Sequence, residues 1–257
     1  MANLSIGYAV LAFALAVGGG ALGASLGTSH RRLCALISLG AGTLLGVTVF
    51  AILPECWRTL QWWGLLLALG SGYALFAVIT KYVYHVCPAC AASHFDEATT
   101  HRFSEIAGAM MLALAIHCVA DGVALAAGHE AEAAHAPGAR LLDFSLVLAV
   151  CVHKVPEGLA LGDLLLGAGL NRSQTIRRVA AVEACTLLGG AGGLLFLRHA
   201  GMVWLDAVVA HVGGGFFFLA THAVLGEILK HHKLLVLANF AAGLGAIAAL
   251  SLVLHLL

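Results

Sequence analysis

Two short stretches carry metal-binding residue types in matching order. His117-Cys118-Val119-Ala120-Asp121-Gly122 and His153-Lys154-Val155-Pro156-Glu157-Gly158 each set a histidine four positions before a carboxylate, with a glycine directly after it. On an α-helix, positions i and i+4 share a face, about 6 Å apart along the axis. Two such faces brought together offer two imidazoles and two carboxylates to one point. Neutral imidazole nitrogens and carboxylate oxygens make a mixed donor set that suits Zn(II) and accepts Fe(II), Mn(II) or Cd(II). Two carboxylates also neutralise a divalent charge, which eases its burial in a low dielectric.

The segments around these motifs are otherwise apolar. The 257-residue chain is 61% hydrophobic and 10% charged, with a mean hydropathy of +0.98. A soluble domain carries about 25% charged residues, so this composition reads as an all-α, multi-pass integral membrane protein whose first partner is the lipid bilayer. A formal net charge of zero gives no basic surface for nucleic acid. The 14 histidines outnumber the 13 acidic and the 13 basic residues, which points to transition-metal or proton chemistry. Cys34, Cys118, Cys151 and Cys185 sit in apolar runs, where a free cysteine behaves as a small hydrophobe. The N-terminal stretch lacks a positively charged leader and stays apolar for a full span, so it reads as the first helix.

Apolar runs of spanning length fall at roughly 6–28, 33–53, 62–84, 104–128, 141–167, 175–197, 203–229 and 234–257. Short connections join them, which favours one transmembrane domain over 1–257. Basic residues set the orientation. Arg31, Arg32, Lys81, Arg102, Arg172, Arg177, Arg178, Lys230 and Lys233 fall on odd connections, whereas only Arg58, Arg140 and Arg198 fall on even ones. The odd connections are therefore expected in the cytoplasm and both termini outside it. Gly19, Gly23 and Gly27, Gly42 with Gly46, and Gly189 with Gly193 repeat a small-residue spacing that lets helices approach closely. Leu53-Pro54-Glu55 is expected to close the second span, with Glu55 as an interfacial anchor.

Asp121, Lys154, Glu157 and Glu183 fall well inside their spans. Each costs about 2.5–3.5 kcal/mol at mid-helix on insertion scales, so together they must pair, bind a cation or line a wet path. A lone buried histidine is more often a satisfied core residue, a reading that suits His211 and His255. It suits His117 and His153 poorly, because each stands one turn before a carboxylate. Pro156 removes a backbone hydrogen bond beside Glu157 and opens the fifth helix there. In the connection at about 85–103, His85, Cys87, Cys90 and His94 have the spacing of a soft tetrahedral site; they read equally as an ordinary polar loop. The stretch His129-Glu130-Ala131-Glu132-Ala133-Ala134-His135 reads as a solvated acidic loop.

The two motifs resemble the fourth and fifth helices of the ZIP family of divalent metal transporters, whose pattern is His-Asn-x-x-Glu/Asp-Gly and then x-x-x-Pro-Glu-Gly. Leu53-Pro54-Glu55, Glu183 on the sixth span, and His222 with Glu227 on the seventh extend the resemblance along the chain. It implies a ZIP-like bundle of about eight helices that moves a divalent metal ion, zinc above all, into the cytoplasm. Rocking of one helix group against another is the family expectation. The family also implies a two-metal centre, and there this sequence departs. Cys118 and Lys154 stand where the second metal's ligands belong. Because a protonated lysine donates and cannot ligate, the expected centre is mononuclear, of His117, Asp121, His153 and Glu157. The Lys154 ammonium then fills the second position, with Glu183 as its counter-ion. His222 and Glu227 are expected along the exit, although for Glu227 interfacial positioning near Lys230 weighs as much, and Ala223 replaces a family carboxylate. A membrane-embedded zinc metallohydrolase and a metal-responsive receptor are the competing readings; the first lacks a His-Glu-x-x-His. The reading is compatible with a homodimer and with a plasma, inner or organelle membrane.

Overall fold

The computed structural model describes residues 2–26, 30–82, 100–134, 141–230 and 233–256. Hydrophobic runs fold as helices because in lipid each backbone N–H must find its acceptor within its own segment. Among the described residues, eight helices are long and apolar enough to cross a membrane, namely Ser5–Ser25, Arg31–Thr59, Trp62–Lys81, Met111–Ala131, Leu142–Gly167, Arg172–Leu197, Met202–His222 and Lys233–Val253. They are numbered in that order as the first to eighth spans. No strand occurs among the described residues, and the chain is an all-α multi-pass membrane protein.

Two boundaries differ from the sequence expectation. The second span does not close at Pro54. It consists of an α-helix at His30–Val47, a π-helical turn at Thr48–Ile52 and a further helix at Leu53–Thr59. Proline lacks an N–H and clashes with the carbonyl four residues back in a continuous α-helix. Here the π turn shifts the bonding by one residue, with the Leu53 N–H reaching Thr48 O. Pro54 therefore opens a fresh turn, where its missing donor is tolerated. The fourth-span helix also runs longer than expected, over Thr100–Ala134. Alanine and glutamate favour helix, and no proline interrupts them before Pro137. His129 is consequently helical and buried, not part of a solvated loop.

The fifth span is the centre of the molecule. Its apolar window is 72% buried, against 17% for the third, which lies at the outside of the bundle. Glycines seat each motif-bearing span closely against a neighbour. A Cβ on Gly158 would collide with Ala16 O of the first span, and one on Gly122 with Thr186 O of the sixth. Elsewhere Gly42 seats against the Phe240 carbonyl and Gly72 against that of His211, pairing the second span with the eighth and the third with the seventh. The spacing of small residues thus marks close helix contacts, as its pattern implied. The sixth helix starts with a reciprocal cap, in which the Gln174 N–H donates to Asn171 Oδ1 at 2.9 Å and the Asn171 N–H to Gln174 Oε1 at 3.0 Å.

Candidate metal centre

The four motif side chains meet at mid-span. The i,i+4 spacing turns His117 and Asp121 to one face of the fourth helix and His153 and Glu157 to one face of the fifth, and all four are buried. His153 Nδ1 lies 2.8 Å from the Ala149 carbonyl oxygen. A carbonyl only accepts, so Nδ1 donates a ring proton, and in the neutral ring Nε2 then carries the lone pair. That lone pair faces Asp121 Oδ2 at 3.3 Å and Glu157 Oε2 at 3.6 Å. His117 Nε2 stands 3.4 Å from each of the same two oxygens. A tetrahedral ion bound at about 2.0–2.1 Å has neighbouring donors about 3.3–3.4 Å apart. The four atoms therefore frame a space the size of one ion. Glu157 Oε2 has no hydrogen-bond partner among the described residues, and a cation in that space would satisfy it.

Across Glu157 the chemistry changes. Lys154, fully buried, places Nζ 2.9 Å from Asp121 Oδ2, 2.8 Å from Glu157 Oε1 and 3.1 Å from Glu183 Oε2. The fourth neighbour is Cys118 Sγ at 3.1 Å. The thiol itself lies 3.5 Å from Glu157 Oε1 and 3.4 Å from Glu183 Oε2. Cys118 is thus more than the small hydrophobe its apolar run suggested. Cys118, Glu157 and Glu183 form a second trio with ligand-like spacing, and the lysine nitrogen bonds to all three. Three carboxylates against one ammonium leave a formal charge of −2 when both imidazoles are neutral.

A cavity of about 90 Å³ adjoins the imidazole side. Its wall runs from His153 and Glu157 past Phe76 to Ile79 and Thr80, beside the Lys81 end of the third span. The Phe76 ring meets His117 edge-on, with ring centroids 5.9 Å apart. On the second span Gly40 leaves room for His153, since a Cβ there would sit 3.0 Å from His153 Cβ.

The remaining candidates fall elsewhere. His222 is half-buried and stacked on Phe218 with centroids 5.3 Å apart, one turn beyond the cavity-lining Leu219. The Glu227 side chain and the loop residues His85, Cys87, Cys90 and His94 lie outside the described residues. Glu55 holds Arg58 at 3.5 Å. His211 Nδ1 pairs with Ser71 Oγ at 2.8 Å, in keeping with a satisfied structural histidine. Sequence reasoning missed a second buried pair, His129 Nδ1 with Asp143 Oδ2 at 3.1 Å. Only the cost of an acid in an apolar run signals Asp143, and nothing in the order of residues links it to His129.

Fold and site together define a class: a polytopic helical membrane protein with a buried cluster of two imidazoles, three carboxylates and one amine. Within that class the chain is similar to zinc transporter SLC39A7 from several mammals. It is 30% identical to the Rattus norvegicus protein over 172 residues, covering 63% of this chain and 35% of that protein. It is 30% identical to the Homo sapiens protein over 150 residues, 54% of this chain and 30% of that protein. The chain thus spans about a third of the length of the curated relatives it matches. No protein-family model matches it. These relatives bear out the resemblance to the ZIP family read from the two motifs.

Proposed function

We propose that the chain binds one divalent cation among His117, Asp121, His153 and Glu157 and carries it across the membrane into the cytoplasm. Zn(II) is the substrate its donors suit best; Fe(II), Mn(II) and Cd(II) accept the same set. The observation that carries this reading is the spacing of the four donor atoms, 3.3 to 3.6 Å between each imidazole nitrogen and each carboxylate oxygen. Lys154 fills the second position, so the centre takes one ion where the family resemblance implies two. A carboxylate–imidazole set also releases its ion more readily than a thiolate cage would, as a carrier requires.

Direction rests on two observations. The cavity leaves the cluster toward Thr80, beside Lys81, and Lys81 belongs to the connections that hold nine of the 12 basic residues outside the fifth span. By the positive-inside rule that side is cytoplasmic and both termini are outside. His222, and Glu227 beyond it, then stand along the exit. The relatives' name as zinc transporters supports the same reading. A hydrolase fits less well, because four protein donors complete a tetrahedron and leave no position for an activated water.

Reconstitution in liposomes loaded with a fluorescent zinc indicator tests the proposal. Saturable accumulation above empty vesicles is the expected result. No accumulation by protein that remains monodisperse and helical would sink it.

A further inference from the structure

All four tryptophans of the chain lie exposed at one end of the bundle. Trp57 ends the second span, Trp62 and Trp63 begin the third, and Trp204 begins the seventh. Cys56 Sγ lies 3.4 Å from Asp206 O, which ties the end of the second span to the start of the seventh at one level. Indoles prefer the membrane–water boundary, where the ring is apolar and the N–H finds a wet partner. The four therefore mark one interface of the bilayer.

Between Trp57 and Trp62 the two spans part. The backbone turns at Leu60, extended at φ −89 and ψ 138. The second span leans on the seventh through Cys56, and the third leans on it through Gly72 and Leu69. A groove of about 470 Å³ is left between them, lined only by leucine, proline and tryptophan side chains. Leu53, Leu65, Leu66 and Leu69 line it, with Pro54 and the two indoles of Trp57 and Trp62. Water needs two to four polar partners, and this lining gives it none. From Trp62 to Leu69 the groove descends about 10 Å along the helix axis, away from the interface and into the hydrocarbon.

We infer that this groove is a phospholipid site, with one acyl chain between the second and third spans and the headgroup phosphate at Arg58. The membrane supplies an apolar tail at the groove's open side, and the indoles stand at the level of the glycerol. Arg58 follows Trp57 at the mouth, with its side chain 64% exposed and Glu55 at 3.5 Å. A guanidinium has five donors and a planar fork that fits phosphate, so the Glu55 pair leaves donors for a headgroup. This reading does not depend on what the buried cluster binds.

Native mass spectrometry of the full chain, released from mild detergent, should show one retained phospholipid, anionic in preference to zwitterionic. Leu66→Trp, which adds bulk to an exposed wall of the groove, should weaken retention about tenfold, the change expected when about two methylenes lose their burial. Arg58→Gln should keep the lipid and lose the anionic preference. As a second readout, brominated phospholipid should go on quenching tryptophan fluorescence after transfer into detergent, and a Trp57→Phe/Trp62→Phe variant should lose that residual quenching. Equal retention by wild type and Leu66→Trp would overturn the inference. So would dimers that Leu66→Trp dissociates without any bound phospholipid, an outcome assigning the groove to a second copy of the chain.

Discussion

On one side of Glu157, two imidazole nitrogens stand 3.4 and 3.6 Å from Oε2; on the other, an ammonium stands 2.8 Å from Oε1. Asp121 Oδ2 serves both sides, 3.3 and 3.4 Å from the imidazoles and 2.9 Å from Lys154. The carboxylates are shared, so the difference lies in the tether. The lysine cation is covalently part of the helix and desolvated once, at folding. On the proposed function, the cation held between the imidazoles would instead arrive and leave. Pairing keeps a buried carboxylate tolerable on either side, but on the proposed function only the imidazole side would let the neutralising charge exchange.

This contrast can be broken at several strengths. Glu157→Ala removes the residue that belongs to both sides, so saturable uptake should vanish in the liposome assay and the melting temperature should fall as well. Wild-type uptake by that variant would remove Glu157 from the site. Lys154→Ala strands buried carboxylates without their cation. A loss of about 3–5 kcal/mol is expected from breaking such a buried pair, read as a lower melting temperature in detergent. Added Zn(II) should restore part of it, and metal analysis should then find two ions per chain where wild type holds one. One ion in both proteins would refute the claim that the ammonium takes a metal's place.

Truncation on the imidazole side should act on binding more than on folding. His117→Ala should weaken zinc affinity by about a hundredfold or more, at the upper end of what the loss of outer-shell partners costs, measured by competition with a chromophoric chelator. On the lysine side, Glu183→Gln should cost about 1–3 kcal/mol of stability through a weakened buried hydrogen bond, while saturable uptake persists. Uptake as poor as that of Glu157→Ala would mean that Glu183 is a ligand and that the division into two sides is wrong. Cys118→Ser should have the smallest effect. It keeps a polar neighbour beside Lys154, and zinc affinity should stay within about twofold of wild type, a shift of under 0.5 kcal/mol.

The imidazole side was legible in the sequence because a local rule writes it. His117 with Asp121 and His153 with Glu157 are each one turn apart, and the cost of charge in lipid demands that such groups meet. The Lys154–Glu183 pair followed from the same cost, since a buried ammonium needs a carboxylate and few were on offer. The structure sets Lys154 Nζ 3.1 Å from Glu183 Oε2, but nearer to Glu157 Oε1 at 2.8 Å and Asp121 Oδ2 at 2.9 Å, so the ammonium is shared among three carboxylates. The eight spans were legible from length and hydropathy alone. The His129–Asp143 pair was not, because it joins two helices at positions that no periodicity connects. The cavity and the lipid-facing groove escaped for a related reason: both depend on how far neighbouring helices splay, which is set by tertiary contacts such as Gly40 with His153. The π turn at Thr48–Ile52 left no mark on its residue types, and Pro54 pointed to a stop where the chain continues.

That turn also sets a phase. A π turn takes one residue more than an α turn, so it rotates everything beyond it by about 100° relative to an uninterrupted α-helix. Deleting one residue from Thr48–Ile52 would bring the last two turns of the second span back into step with the first five. Cys56 would swing off the seventh span, and Trp57 would trade its view of the bilayer for another azimuth. Which side of this helix end meets lipid is decided by one extra residue several positions earlier.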